Sequence, residues 1–153
     1  MSPVRFAIIG SGWRSEFHIR MAKAAPDRLE VVAVVTQTDA EAHRLAARWG
    51  VPTMRTIDEA LAREPEFVIS AVSWPAMPVI VRELVAAGAK VLAETPPAPE
   101  IEGLRSLWHD VGASGLVQVG EQYTRMPGHA SRLAGVRAGT IRTVTSGVMV
   151  STH

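Results

Sequence analysis

The residues whose types and spacing could do chemistry begin at the first apolar run, Val4-Arg5-Phe6-Ala7-Ile8-Ile9, which ends in Gly10-Ser11-Gly12-Trp13-Arg14-Ser15. A strand driven into a glycine turn lets backbone come close to an anion. A helix starting there points its unsatisfied N–H groups, and the positive end of its dipole, at the same place. The expected ligand is the diphosphate of a dinucleotide. Gly10-x-Gly12-x-x-Ser15 departs from the full glycine fingerprint at its third position, where serine replaces the glycine that permits close helix–strand packing. A glycine pair alone would suit any strand-to-helix turn. Its setting, after a buried strand and before a helix in a βαβ unit, is what points to a nucleotide.

The second group is Thr36-Gln37-Thr38, at the end of the second strand and 24 residues after Gly12 in the case of Thr36. An acidic residue there would bond the ribose 2′-hydroxyl of NAD and repel the 2′-phosphate of NADP. The segment 36–38 carries no carboxylate. Its neutral donors suit either cofactor, and Arg14 in the turn adds positive charge, so the reading is NAD(P) with a lean to NADP. A simple turn and helix cap is the alternative for these residues. The third group lies at the ends of later strands: Ser73-Trp74-Pro75, Glu94-Thr95-Pro96 and Glu121-Gln122-Tyr123. Open α/β sheets bind ligands at the carboxyl ends of their strands, which makes Gln122 a candidate nicotinamide neighbour and Trp74 a candidate stacking partner. His18, His43, His109, His129 and His153 are scattered without metal-ligand spacing, so no metal site is expected. No paired carboxylates, nucleophile elbow or Walker lysine follows a strand.

Those positions require particular elements. Phe17, Met21, Ala24 and Ala25 recur at helical spacing and Pro26-Asp27 stops that helix, before a strand over Leu29 to Val35 that is continuously apolar from Val31 to Val35. Thr38 with Glu41 makes a capping box for a helix with Ala42, Leu45, Ala46 and Trp49 on one face, closed by Gly50; Thr56 with Glu59 repeats the device. Strands are expected over 66–72, 90–93 and 116–119, with a helix over 78–87 burying Ile80, Val81, Leu84 and Val85, and another carrying Ile101, Leu104, Leu107, Trp108 and Val111. Pro127 opens a short helix that Gly139 ends, and 141–151 reads as a further strand. Strands alternating with helices predict an α/β fold, a doubly wound parallel Rossmann-like sheet.

The chain of 153 residues is 47% hydrophobic and has no cysteine, enough for one core without disulfides. Sixteen basic residues against 15 acidic ones give no electrostatic case for nucleic acid or a membrane surface, and no run approaches the ~20 apolar residues of a membrane span. Without a signal-like start, a cytoplasmic location and a small-molecule partner are expected.

Taken together, Gly10-Ser11-Gly12-Trp13-Arg14, Ser73-Trp74-Pro75, Glu94-Thr95-Pro96 and the segment 122–127 resemble, in order and spacing, the motifs of the glucose-fructose oxidoreductase/inositol dehydrogenase/MocA-like family. The resemblance covers essentially the whole chain. It implies an NAD(P)-binding domain over 1–120, with Gly10, Ser11, Gly12, Trp13, Arg14, Thr36, Gln37, Ser73, Trp74, Pro75, Glu94 and Gln122 around the cofactor. It also implies that 121–153 form a linker, a short helix and the start of a truncated second domain for substrate and dimerisation. In the family the segment after the strand over 66–72 usually reads Thr-Pro-Asn, and the later one Glu-Lys-Pro. Thr95 therefore stands where the family's lysine orients substrate or assists proton transfer, and Arg125 where the family places an arginine near the substrate.

These departures set two expectations. One is the cofactor half of an oxidoreductase whose homo-oligomeric parent moves a hydride to or from a sugar, polyol or related hydroxy compound, this chain alone being inactive. The other is a catalytically lapsed dinucleotide-binding or sensor module. A methyltransferase also uses a glycine turn, but usually has an acidic residue after the second strand, which Thr36 to Thr38 lack.

Overall fold

The computed structural model describes residues 2–121 and 126–140. Gln122, Arg125 and the expected strand over 141–151 lie outside the described residues. The chain forms two compact units, Met1–Gly120 and Glu121–His153.

The first unit alternates strand and helix: β1 (Val4–Ile9), α1 (Trp13–Ala24), β2 (Leu29–Val35), α2 (Asp39–Trp49), β3 (Thr53–Met54), α3 (Ile57–Leu61), β4 (Phe67–Ser70), α4 (Met77–Ala86), β5 (Val91–Ala93), α5 (Ile101–Val111) and β6 (Val117–Val119). All strand pairs are parallel, in the order β3-β2-β1-β4-β5-β6. This is the doubly wound Rossmann arrangement. The order in which strands are added reverses between β1 and β4, which opens a crevice at their carboxyl ends.

Alternation along β1 builds the two layers. Phe6 and Ile8 join Val34 and Ile69 beneath Ile19 and Ala22 of α1 and Leu45 of α2. Ala7 and Ile9 join Ala33 and Val68 beneath Ile57 and Ala60 of α3, Met77, Val81 and Leu84 of α4, and Leu107 and Val111 of α5. With both faces covered, the central strands must carry continuous apolar runs, as Val31–Val35 of β2 and Phe67–Ile69 of β4 do.

Local signals match the expectation closely. Both capping boxes form: Thr38 accepts from the Glu41 N–H at 3.2 Å, and Thr56 from the Glu59 N–H at 3.2 Å. Gly50 ends α2 in the left-handed conformation at φ 61°. The differences lie in longer-range packing. α1 buries Ser15, His18, Ile19 and Ala22 instead of the Phe17–Met21–Ala24 face, because its first turn sits over the glycine loop and its second reaches toward β5. In α5 only Leu107 and Val111 are buried, while Ile101, Leu104 and Trp108 remain exposed. β3, two residues at the sheet edge, has no run long enough to announce itself.

The second unit contributes α6 (Pro127–Arg137), which has Pro127 in its first turn and is followed by Gly139 at φ 72°. Among the described residues no helix is long and apolar enough to cross a membrane.

Candidate functional site

A cavity of about 510 Å³ opens at the carboxyl ends of β1, β2 and β4, lined by Gly10, Ser11, Gly12, Thr36, Gln37, Arg55 and Ser73 among others. Its floor is the glycine turn, in which the two glycines serve different ends. Gly10 has φ +116°, and a Cβ built there would lie 2.4 Å from the Ala71 carbonyl oxygen, so glycine is needed for β1 to pass β4. Gly12 has φ −76°, which any residue adopts, and nothing lies within 4 Å of where its Cβ would stand. Protein packing does not ask for that second glycine. The space it leaves is a cradle directly before the first turn of α1, whose N-cap makes no side-chain hydrogen bond. The N–H groups of Trp13, Arg14 and Ser15, at the first three helical positions, therefore have no partner within the helix. Open backbone donors around a vacant Cβ position fit a pyrophosphate.

Ser15, in place of the third glycine, is fully buried, and its hydroxyl has no hydrogen-bond partner. The small side chain fits under the turn, at the cost of an unsatisfied polar atom.

Ionic contacts pin the turn on two sides. Toward α2, the Ser11 hydroxyl donates to Glu41 Oε1 at 2.5 Å and Arg44 Nη2 donates to the Ser11 carbonyl at 2.8 Å. Glu16 of α1 binds Arg44, sits 3.1 Å from Arg48 Nη1 and accepts from Trp49 Nε1 at 3.1 Å. Toward β5, Glu94 receives Arg14 Nε at 2.7 Å on one oxygen and lies 2.6 Å from His18 Nε2 on the other. Burial raises the Glu94 pKa, but the hydrogen bonds from His18 and Arg14 and the Arg14 charge outweigh it and hold the carboxyl below its ordinary value. Bonds to Ser11 and Thr38 likewise lower Glu41.

The cavity thus gathers Gly10, Ser11, Gly12, Thr36, Gln37 and Ser73 from the sequence-predicted set. Thr36 is buried, its hydroxyl turned to the Thr38 carbonyl at 3.4 Å. Trp13 and Trp74 stand exposed, at the start of α1 and in the loop after β4, where Pro75 is also exposed. Arg14 and Glu94 meet each other, and Thr95 follows exposed. Sequence reasoning missed three participants. His18 reaches Glu94 from 76 residues away, with no signal in the local pattern. Glu41 returns a carboxylate to the glycine loop through the same capping box that marks it in the sequence. Arg55 follows the unannounced strand β3 into the cavity. Among the described residues no cluster could hold a metal ion.

Fold order, switch-point crevice and the Gly12 cradle together define a dinucleotide-binding Rossmann domain. Residues 4–121 match the oxidoreductase family with NAD-binding Rossmann fold that includes glucose-fructose oxidoreductase, inositol dehydrogenase and MocA, and the chain belongs to that family. Among solved structures it is similar to GenD2 from gentamicin A biosynthesis in complex with NAD, at 27% identity and TM-score 0.74, covering 91% of this chain and 41% of that one. It is also similar to a myo-inositol dehydrogenase from Corynebacterium glutamicum, at 26% identity and TM-score 0.75, covering 91% and 42%. The fold is shared with scyllo-inositol dehydrogenase from Lactobacillus casei with bound NAD(H) and scyllo-inositol, at 16% identity and TM-score 0.80, covering 94% and 44%. The chain therefore spans less than half the length of these proteins. No curated protein matched it.

Proposed function

We propose that this chain is the cofactor-holding part of an oxidoreductase that moves a hydride between NAD(P) and a carbinol carbon of a sugar, polyol or related hydroxy compound. The observation that carries the reading is the Gly12 cradle, a glycine with no packing reason beneath a helix start with open N–H groups. The nicotinamide, when bound, takes or gives the hydride. The protein's part is to hold the pyrophosphate on the backbone around Ser11 to Arg14 and to place the remainder of the dinucleotide along the crevice between β2 and β4. Thr36 and Gln37, being neutral, incline the reading to NADP. Gln122 near the nicotinamide and Arg125 near substrate belong to the same proposal on the strength of the family motif.

Oxidising an alcohol also releases a proton. Thr95 stands at the family's lysine position, and its hydroxyl is neither acid nor base near neutral pH, though it can hydrogen-bond a substrate hydroxyl or water. Proton transfer then falls to another group, and the walls that select substrate and join subunits to residues beyond 120 and to the length the relatives have and this chain does not span. Thr95 also favours a second reading, a dinucleotide-responsive module that has lost catalysis. Calorimetric titration with NADH and NADPH, with S-adenosylmethionine as control, tests the shared part of both. Saturable binding of a nicotinamide cofactor alone is expected. Absence of binding at millimolar concentration refutes both readings.

A further inference from the structure

Among the described residues, the cation that lines the cavity beside Thr36 and Gln37 is Arg55, not Arg14. Arg14 is paired with Glu94 at 2.7 Å, and its guanidinium lies over Phe17 and Trp13, on the β5 side of the glycine turn. Arg55 directly follows β3, which pairs in parallel with β2, and the Thr36 N–H donates to the Met54 carbonyl at 3.0 Å. That register puts Arg55 at the same sheet edge as Thr36 and Gln37, and it lines the cavity with them.

The side chain is held there. Arg55 Nη2 donates to the Gln37 carbonyl at 2.6 Å, and the Arg55 N–H donates to Glu59 Oε2 at 2.8 Å within the cap of α3. A guanidinium has five N–H donors. Besides the Gln37 bond, its described partner is Asp39, 3.6 Å from Nη1 and so exposed, at 85%, that water screens the pair. The other carboxylate at this edge, Glu41, has its oxygens accepting from the Ser11 hydroxyl and from the N–H and hydroxyl of Thr38. The edge where many Rossmann domains present a carboxylate to the ribose diol therefore presents a braced guanidinium with donors to spare.

We infer that Arg55 reads the 2′ position of the adenosine ribose, binding a 2′-phosphate through charge-assisted, bidentate hydrogen bonds and making the chain selective for the phosphorylated dinucleotide. The inference rests on the dinucleotide reading above.

The test is calorimetry on the chain and its Arg55→Gln and Arg55→Lys variants, with NADPH, NADH, adenosine 2′,5′-bisphosphate and 5′-AMP as ligands, each variant first shown to be folded by circular dichroism. The unmodified chain binds NADPH more tightly than NADH, and the bisphosphate more tightly than 5′-AMP. Arg55→Gln weakens NADPH roughly tenfold to hundredfold, the range of one charge-assisted hydrogen bond, and leaves NADH within about twofold. Arg55→Lys keeps the charge without the fork and falls between. An unchanged NADPH-to-NADH ratio in Arg55→Gln, equal losses for both, or a preference for NADH in the unmodified chain overturns the assignment of Arg55 while leaving the dinucleotide reading intact. Failure of both nicotinamide cofactors to bind the unmodified chain overturns both together.

Discussion

Substituting each glycine of the turn by alanine separates architecture from ligand binding. At Gly10 the new Cβ meets the Ala71 carbonyl oxygen at 2.4 Å, and φ +116° is itself strained for alanine. The backbone there cannot step aside, because Gly10 donates to Val35 at 3.0 Å and Ala71 donates to Ile9 at 2.9 Å, tying β1 to both neighbours. Strain and clash together put the cost of Gly10→Ala at about 3 kcal/mol or more. At Gly12 the same change meets nothing within 4 Å and a permissive φ of −76°. Alanine is a poorer N-cap than glycine by a fraction of a kcal/mol, and the stiffer unfolded chain offsets it, so net stability changes by no more than about 0.5 kcal/mol. The methyl group does occupy the cradle. Displacing a pyrophosphate from one backbone N–H group weakens binding roughly tenfold to a hundredfold or somewhat more, a charge-assisted bond being worth about 1.5–3 kcal/mol. Urea unfolding and NADPH titration on the two variants measure both quantities. A Gly12→Ala protein that binds NADPH like the unmodified chain, or that melts as badly as Gly10→Ala, refutes the reasoning.

Three further outcomes follow from the contacts around the turn. Glu94→Gln removes the charge that Arg14 and His18 share, which destabilises the chain by about 1–3 kcal/mol at pH 7. Because the Glu94 pKa is lowered on folding, that contribution is full above the ordinary carboxylate range and is lost as pH falls through the folded value, so denaturation curves of the two proteins converge in acid. Ser15→Ala deletes a buried hydroxyl without a partner in a helix that prefers alanine, and should raise the melting temperature by roughly 2–6 °C in a thermal scan. Thr38→Ala breaks the α2 capping box, with a loss of about 1 kcal/mol in chemical denaturation.

What could be read from the sequence follows the range of the interaction. Capping boxes, the Gly50 cap and the apolar strands are set by residues within a few positions of each other, and they lie where the pattern places them. The α1 face was not legible by the same logic. Apolar spacing points Phe17 inward, yet Phe17 carries the Arg14 guanidinium on its ring at 4.7 Å while polar Ser15 and His18 go inside. That face meets partners far along the chain: Ile19 and Ala22 pack on Phe6, Ile8 and Val34, and His18 meets Glu94 just after β5. The site divides likewise: glycines of the turn are readable because the requirement is local, whereas the ion pairs that brace it join α1 to β5 and to α2 across long stretches of chain.

Those braces bear on what Thr95 can mean. Glu94 is gripped by Arg14 from the first turn of α1 and by His18 one turn on, so the backbone entering Thr95 is tied to the same helix whose N-terminus faces the cradle. The same grip holds Arg14, in the first turn above the cradle, so an oxidoreductase and a module that kept only the dinucleotide both have a use for it. The ion-paired carboxylate next to Thr95 thus ties the chain after β5 to the first two turns of α1, so the backbone at Thr95 and the N–H groups at the cradle are held by one set of contacts.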